Sequence, residues 1–121
     1  MIEGVLVLES LKPGTALDTS DLTFRVLRRV EVENPAPWQP SRWTLADFEA
    51  EGIDPEAFAA QLAAVLAGPG WYVDFHSEQR VWVVFPGQVL GYARGDEEGR
   101  RRVVEYGLSA GVPAAQLDWG D

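Results

Sequence analysis

Apolar and polar residues alternate through residues 71–94 in three short runs. Side chains of an extended chain point to opposite faces with a period of two, so this pattern predicts three strands. Short connections at 78–79 and 86–87 would join them as antiparallel neighbours, the second because proline presets φ and glycine accepts a positive φ. The sequence therefore predicts an antiparallel strand trio over residues 71–94.

The register of the strand trio sorts its side chains into two faces. Counting outward from the first turn sets Phe75 opposite Trp82, and counting from the second sets Val84 opposite Val89. Face one is then apolar and is predicted to belong to the core. Its residues are Trp71, Val73, Phe75, Trp82, Val84, Val89, Gly91 and Ala93.

Face two of the strand trio is mixed in character. Its residues are Tyr72, Asp74, His76, Val81, Val83, Phe85, Leu90, Tyr92 and Arg94. This face is too apolar to be left in water, because large exposed apolar patches are uncommon on soluble monomers. We therefore expect a cover, which the first half of the chain, a second copy of the protein or a ligand could supply.

The first half of the chain predicts further strands. Residues 2–10 are apolar on both faces, as in a strand at the centre of a sheet, and residues 12–15 predict a turn. Residues 22–33 alternate cleanly and predict a half-buried strand, whereas the three prolines of 34–41 predict a loop. Residues 43–52 fit either a strand beside 22–33 or a capped helix. We favour the strand, because a strong helix start follows at once.

Two helices are predicted from their caps and apolar stripes. Asp54 starts the first helix, which ends before the glycines and proline of 68–70. Asp96 starts the second helix, and residues 111–113 end it. The side chains of the second helix that are predicted to face inward are Val103, Val104 and Leu108. The tail, residues 114–121, is predicted to form a short strand or a docked extension.

Together these elements predict a single α+β domain that spans residues 1–121. The expected architecture is an antiparallel sheet of about five to six strands with two helices packed on one face. From residue 43 onward the element order partly resembles that of ferredoxin-like domains. This likeness concerns element order alone and implies no function.

Composition narrows the class of protein. The chain has 121 residues, of which 46% are hydrophobic, and this is ample for one core. It has no cysteine, which excludes disulfides and thiolate sites and is typical of a cytoplasmic protein. Residues 1–10 lack the features of a signal peptide or a membrane span, so we expect a soluble protein that does not contact membranes.

The chain is strongly acidic, with a net charge of −9 and an isoelectric point near 4.5. A charge of this sign repels nucleic-acid phosphates. The basic cluster at residues 100–102 lies among glutamates at helical spacing and is expected to form ion pairs with them. We therefore predict no nucleic-acid partner.

The only histidine, His76, lies in the one arrangement that could support chemistry. Asp74 is two residues earlier and on the same face, where its carboxylate could orient the imidazole as a general base requires. Tyr72, Tyr92 and Arg94 share this face and could bind a ligand. The simpler interpretation is an ordinary polar residue beside a turn, because no nucleophile or second base is evident. The sequence also contains no metal-ligand spacing and no cofactor motif.

Two functional hypotheses follow from these observations. The first is a small acidic binding or regulatory module, non-enzymatic, that binds a protein partner or a second copy of itself through face two. The second is a cofactor-free enzyme or small-molecule binder, with an aromatic pocket in which His76 acts as acid or base.

Overall fold

The computed structural model describes residues 1–120, and in that range the chain forms one antiparallel sheet of six strands with two α-helices. The elements are β1 (Ile2–Val7), β2 (Thr23–Glu31), β3 (Arg42–Ala50), α1 (Pro55–Val65), β4 (Val73–His76), β5 (Arg80–Phe85), β6 (Gln88–Ala93) and α2 (Glu97–Ser109). The strands lie in the order β2-β3-β1-β4-β5-β6. This architecture confirms the α+β class, whereas the ferredoxin-like element order is not confirmed. No helix within residues 1–120 is long and apolar enough to cross a membrane.

The strand trio has the register that its turns predict. Phe75 pairs with Trp82, and the second turn sets β5 against β6 as expected. The first turn is closed by the backbone N–H of Ser77, which donates to the carbonyl of Arg80 at 2.9 Å. Strand β1 lies between β3 and β4, which confirms the central strand, and β3 confirms the strand interpretation of residues 43–52.

Helix α1 covers face one of the sheet. Asp54 caps this helix by accepting a hydrogen bond from the backbone N–H of Glu56 at 3.0 Å. Phe58 of α1 packs between Phe75 and Phe48, with ring centroids 5.3 and 5.7 Å away. The other members of this core are Ile2, Leu6, Ala50, Ala59, Leu62, Leu66, Val73, Trp82 and Val84.

Helix α2 lies on the opposite face of the sheet, which corrects the prediction that both helices pack on one face. Its Val103 packs with Val81 and Phe85 of β5, whose side chains point away from α1. The physical reason is that β5 is buried on both faces and therefore needs a layer on each side. Leu108 does not face inward as its spacing predicts. It is 49% exposed, because the buried stripe of α2 runs through Val103 and Gly107.

The C-terminal segment, residues 110–119, completes the cover of face two. It docks as an extension, since it pairs with no strand of the sheet in the described part of the chain and its Leu117 packs tightly on Gly107 of α2. The indole N–H of Trp119 donates to the hydroxyl of Tyr92 at 2.6 Å, in a buried position. Helix α2 and this segment therefore cover the apolar part of face two, around Val81, Val83, Phe85 and Tyr92, so the cover expected there comes from the second half of the chain.

Strand β2 is one of the two edge strands of the sheet and is exposed on both faces, so it is not the half-buried strand that its alternation predicts. Phe24, Val26 and Leu27 are 40%, 47% and 67% exposed. A bulge at Arg25 adds one residue to the strand. Because of the bulge, Phe24 and Val26 point to different faces, and the apolar residues of β2 do not form one buried row.

We expect Phe75→Ala to lower the free energy of unfolding by about 3–5 kcal/mol, because this ring is fully buried and its loss leaves a cavity. Phe24→Ala is the matched control at the exposed edge, and its cost should be below about 1 kcal/mol. Urea denaturation followed by tryptophan fluorescence measures both. Equal losses in the two variants would contradict the assignment of core and edge.

Candidate functional site

A cavity of about 340 Å³ lies on face two of the sheet, beside the area that α2 covers. Its floor is formed by alternate side chains of three neighbouring stretches: Val5 and Val7 of β1, Trp43 of β3, and Tyr72 and Asp74 at the start of β4. Its remaining lining residues are Val32, Gly70, Trp71, Ala115, Gln116 and Asp118. This volume falls within the range of small-molecule sites, which is roughly 300–1,000 Å³. We call it the face-two cavity.

Two tryptophans form the aromatic wall of the face-two cavity. The rings of Trp43 and Trp71 are 5.0 Å apart, and Trp38 packs edge-on behind Trp71 at 5.9 Å. Gly70 makes this packing possible, because a Cβ atom there would lie 2.1 Å from the Trp38 ring and because its φ of 86° favours glycine. Trp71 therefore belongs to a tryptophan cluster, and not to the α1 core in which alternation predicts it.

A pair of glutamines joins the two segments that border the face-two cavity. Gln39 lies in the loop 34–41 and is buried, while Gln116 lies in the C-terminal segment. Each side-chain amide donates to the other side-chain carbonyl, at 3.2 and 2.8 Å. The hydroxyl of Tyr72 donates to the backbone carbonyl of Gln116. These hydrogen bonds hold the C-terminal segment over the sheet at the rim of the cavity.

Asp74 is the dominant electrostatic feature of the face-two cavity. Burial, which disfavours the charged carboxylate, raises the pKa of Asp74 to about 6. A hydrogen bond from its own backbone opposes this rise in pKa, the charge of Asp118 adds to it, and the charge of Arg100 opposes it. Asp74 takes part in none of the ion pairs that residues 1–120 form. The protein therefore holds a poorly solvated carboxylate at the floor of a cavity.

Tyr72 supplies a hydroxyl that remains protonated. Burial raises the pKa of Tyr72, and the negative charges of Asp74 and Asp118 raise this pKa further. The phenol is consequently a hydrogen-bond donor at neutral pH, and its proton is directed at the Gln116 carbonyl.

The five candidate site residues predicted from the sequence lie in three different places in the structure. Tyr72 and Asp74 line the face-two cavity. His76 and Arg94 line a separate depression of about 110 Å³, where the Nε2 atom of His76 lies 3.5 Å from a carboxylate oxygen of Glu3. Tyr92 is buried beneath α2, where its hydroxyl accepts the hydrogen bond from the Trp119 indole. The residues share a strand face, but they do not share one site.

Sequence reasoning missed most of the lining of the face-two cavity. Alternation in β3 could have placed Trp43 on one face of its strand, but not next to β1 and β4, because strand order is a tertiary property. Gln39 and Gln116 are separated by 77 positions, and no local pattern marks them as partners. In the sequence, Gln116 and Asp118 look like ordinary polar residues of a C-terminal tail, so nothing marks them as cavity residues.

The described residues 1–120 contain no group of three or more histidine, cysteine, aspartate or glutamate side chains that could hold a metal ion. The face-two cavity has two carboxyl groups in its described lining, those of Asp74 and Asp118. Comparison with known proteins found no matching family model, no matching curated protein and no matching solved structure.

We expect Asp74→Asn to stabilise the protein by about 1–3 kcal/mol above pH 7 and to have little effect near pH 4. The folded-state pKa of Asp74 is raised from 3.8 to about 6. A raised carboxyl pKa supplies stability that is fully present below pH 3.8 and is lost as the pH rises through about 6. The asparagine variant does not titrate and so does not lose it.

Urea denaturation of both proteins at a series of pH values measures this difference. Asp21→Asn, at an exposed position, removes the same charge and serves as the matched control. An Asp74→Asn variant that is no more stable than the parent at pH 7.5 would contradict the assigned burial of the carboxyl group.

Proposed function

We propose that this protein is a small-molecule-binding module and that the face-two cavity is its binding site. The observation that carries the proposal is the convergence, in one concavity, of an aromatic wall and a carboxylate of perturbed pKa. Ligand sites typically combine apolar and aromatic walls with a few polar groups, and perturbed titratable groups concentrate at functional sites. Holding Asp74 in this position reduces stability at neutral pH, which fits a group that is retained for binding.

The border of the cavity supports the same proposal. The C-terminal segment lines the cavity through Ala115, Gln116 and Asp118, and the loop 34–41 is joined to it by the glutamine pair; segments carried on a sheet in this way are a usual arrangement for binding. They meet through the side chains of Gln39 and Gln116, so they could separate without breaking a strand pair. A ligand could enter by this route while the sheet stays intact.

The geometry of the cavity favours a binding protein over an enzyme. A general base must reach the proton that it removes. His76, the acid or base of the enzymatic hypothesis, lies at the separate depression beside Glu3. Among the described lining residues of the face-two cavity, Tyr72 has the only side-chain hydroxyl, and this hydroxyl donates to the backbone carbonyl of Gln116.

We expect Ala115→Trp to abolish binding of small molecules at the face-two cavity, because an indole at this lining position fills the space. Ala114→Trp is the matched control, since Ala114 is an exposed neighbour outside the lining. A fragment screen monitored by the indole N–H signals in NMR spectra measures binding. Fragments that bind the parent and both variants equally, or a parent that binds none, would contradict the proposal.

Self-association through β2 is a second candidate function, and the exposed edge of the sheet favours it. Nine residues of β2 form this edge, with the apolar side chains of Phe24, Val26 and Leu27 exposed. The outer edge of such a strand, which pairs with no other strand in the described part of the chain, is a template for pairing with another chain. The proposed contact surface is therefore β2, and not face two of the strand trio, whose apolar part is covered by α2.

The charges of β2 support a second copy of the chain as the partner. Edge strands commonly avoid pairing by presenting charged side chains outward. Here Arg28 and Arg29 are engaged by Asp47 and Glu9 of the same chain, at 2.7 and 3.2 Å. The edge is therefore locally neutral although the whole chain carries a charge of −9, and two identical edges can meet in an antiparallel pair about a two-fold axis.

We expect the parent protein to be a dimer and Leu27→Lys to be a monomer in size-exclusion chromatography with light scattering. A lysine places a new charge at the most exposed apolar position of β2. Leu108→Lys, on the exposed side of α2, is the matched control and should leave the dimer unchanged. A parent protein that is monomeric at high concentration would exclude this candidate.

A further inference from the structure

The half-buried carboxylate of Asp74 forms no ion pair within residues 1–120. The nearby guanidinium of Arg100 is committed elsewhere: it donates to the backbone carbonyl of Trp119 at 2.8 Å and lies 4.8 Å from the centroid of the Trp119 ring. Its charge lowers the pKa of Asp74 less than burial raises it. The Asp74 carboxylate is therefore poorly solvated and is not paired directly with a cation in the described residues 1–120.

We propose that the ligand of the face-two cavity is an organic cation, a small ammonium compound with an apolar body, that Asp74 and Asp118 bind through its charge and Trp43 and Tyr72 through their rings. This inference rests on the proposed function of the cavity, and it specifies the chemical class of the ligand. In this proposal the bound cation forms the ion pair with Asp74 that no side chain of residues 1–120 forms.

The walls of the cavity suit such a ligand. The faces of tryptophan and tyrosine rings carry negative charge density and attract ammonium groups within about 6 Å. Trp43, Trp71 and Tyr72 line the cavity together with the two carboxylates. Val5, Val7 and Val32 supply apolar surface for the body of the ligand. Sites for ammonium ligands commonly use such rings, and the carboxylates add the attraction of opposite charges.

Other classes of ligand fit the cavity less well. Within the described lining, no lysine, arginine or histidine is present to bind an anion, and two carboxylates would repel one. A hard metal ion needs about six oxygen ligands, which the carboxyls of Asp74 and Asp118 do not provide. The net charge of −9 also attracts cations to the protein before they reach the site.

Binding of the cation is coupled to ionisation of Asp74. The titratable or charged groups that act on this carboxyl are Asp118 from the C-terminal segment, Arg100 from α2 and Tyr72, the residue just before β4. The partners of Asp74 on the two neighbouring strands, Val5 and Val83, carry no charge. Because only the ionised carboxylate attracts a cation, the affinity should increase roughly tenfold from pH 5 to above pH 7 and then level off.

Three probes that share a benzyl group and differ in charge test the inference on the full chain. Benzylammonium, benzyl alcohol and benzoate are titrated by calorimetry, while NMR spectra follow the Trp43 indole N–H signal. We expect benzylammonium to bind at least about tenfold more tightly than the other two at pH 7.5. Asp74→Asn should remove this preference, whereas Asp21→Asn, which changes the net charge equally, should retain it.

The outcomes separate the ligand class from the function of the cavity. If benzyl alcohol or benzoate binds as tightly as benzylammonium and Ala115→Trp abolishes that binding, the proposal of a cationic ligand is overturned. The proposal that the cavity is a binding site is then retained. A preference for benzylammonium that persists in Asp74→Asn, or that does not weaken between pH 7.5 and pH 5, also overturns the inference. If none of the three probes binds the parent protein, the inference is overturned, and the fragment screen with Ala115→Trp decides separately whether the cavity binds other molecules.

Discussion

The fold depends on burial of β5 from both sides. Val81, Val83 and Phe85 need cover on one face of this strand, and Trp82 and Val84 need it on the other. Helix α1 meets the second requirement, while α2 and the C-terminal segment together meet the first. The buried hydrogen bond between the Trp119 indole and the Tyr92 hydroxyl secures the end of that cover. Since apolar burial is the dominant favourable term in folding, this double layer sets the positions of the other elements.

The double layer extends over only part of the sheet, and this creates the candidate site. Over β5 and β6 the second face is closed by α2, whereas over β1, β3 and Asp74 of β4 it faces the cavity that the C-terminal segment borders. Asp74 lies at the boundary between the two areas, where burial raises its pKa and where it forms no ion pair within residues 1–120. A carboxylate there costs stability at neutral pH. This cost in stability is one of the observations on which the proposed binding function rests.

Local patterns predicted the parts of this structure that depend on neighbouring residues. The turns at 78–79 and 86–87 determined the register of the strand trio, and Asp54 and Asp96 marked the helix starts. Alternation was less reliable at β2, where the bulge at Arg25 changes which face each side chain takes. The candidate site was predicted only in part. Tyr72 and Asp74 do line the cavity, but His76 and Arg94 lie at another depression.

Periodicity, caps and turn residues were sufficient to predict most of the strands, both helices and the α+β class, because each of these signals lies within a few positions of the chain. Long-range packing alone placed the helices on opposite faces, joined Trp71 to Trp43 instead of the α1 core, and brought Gln39 to Gln116. These contacts join residues far apart in the chain. They arise from which surfaces pack together, and local periodicity carries no information about that choice.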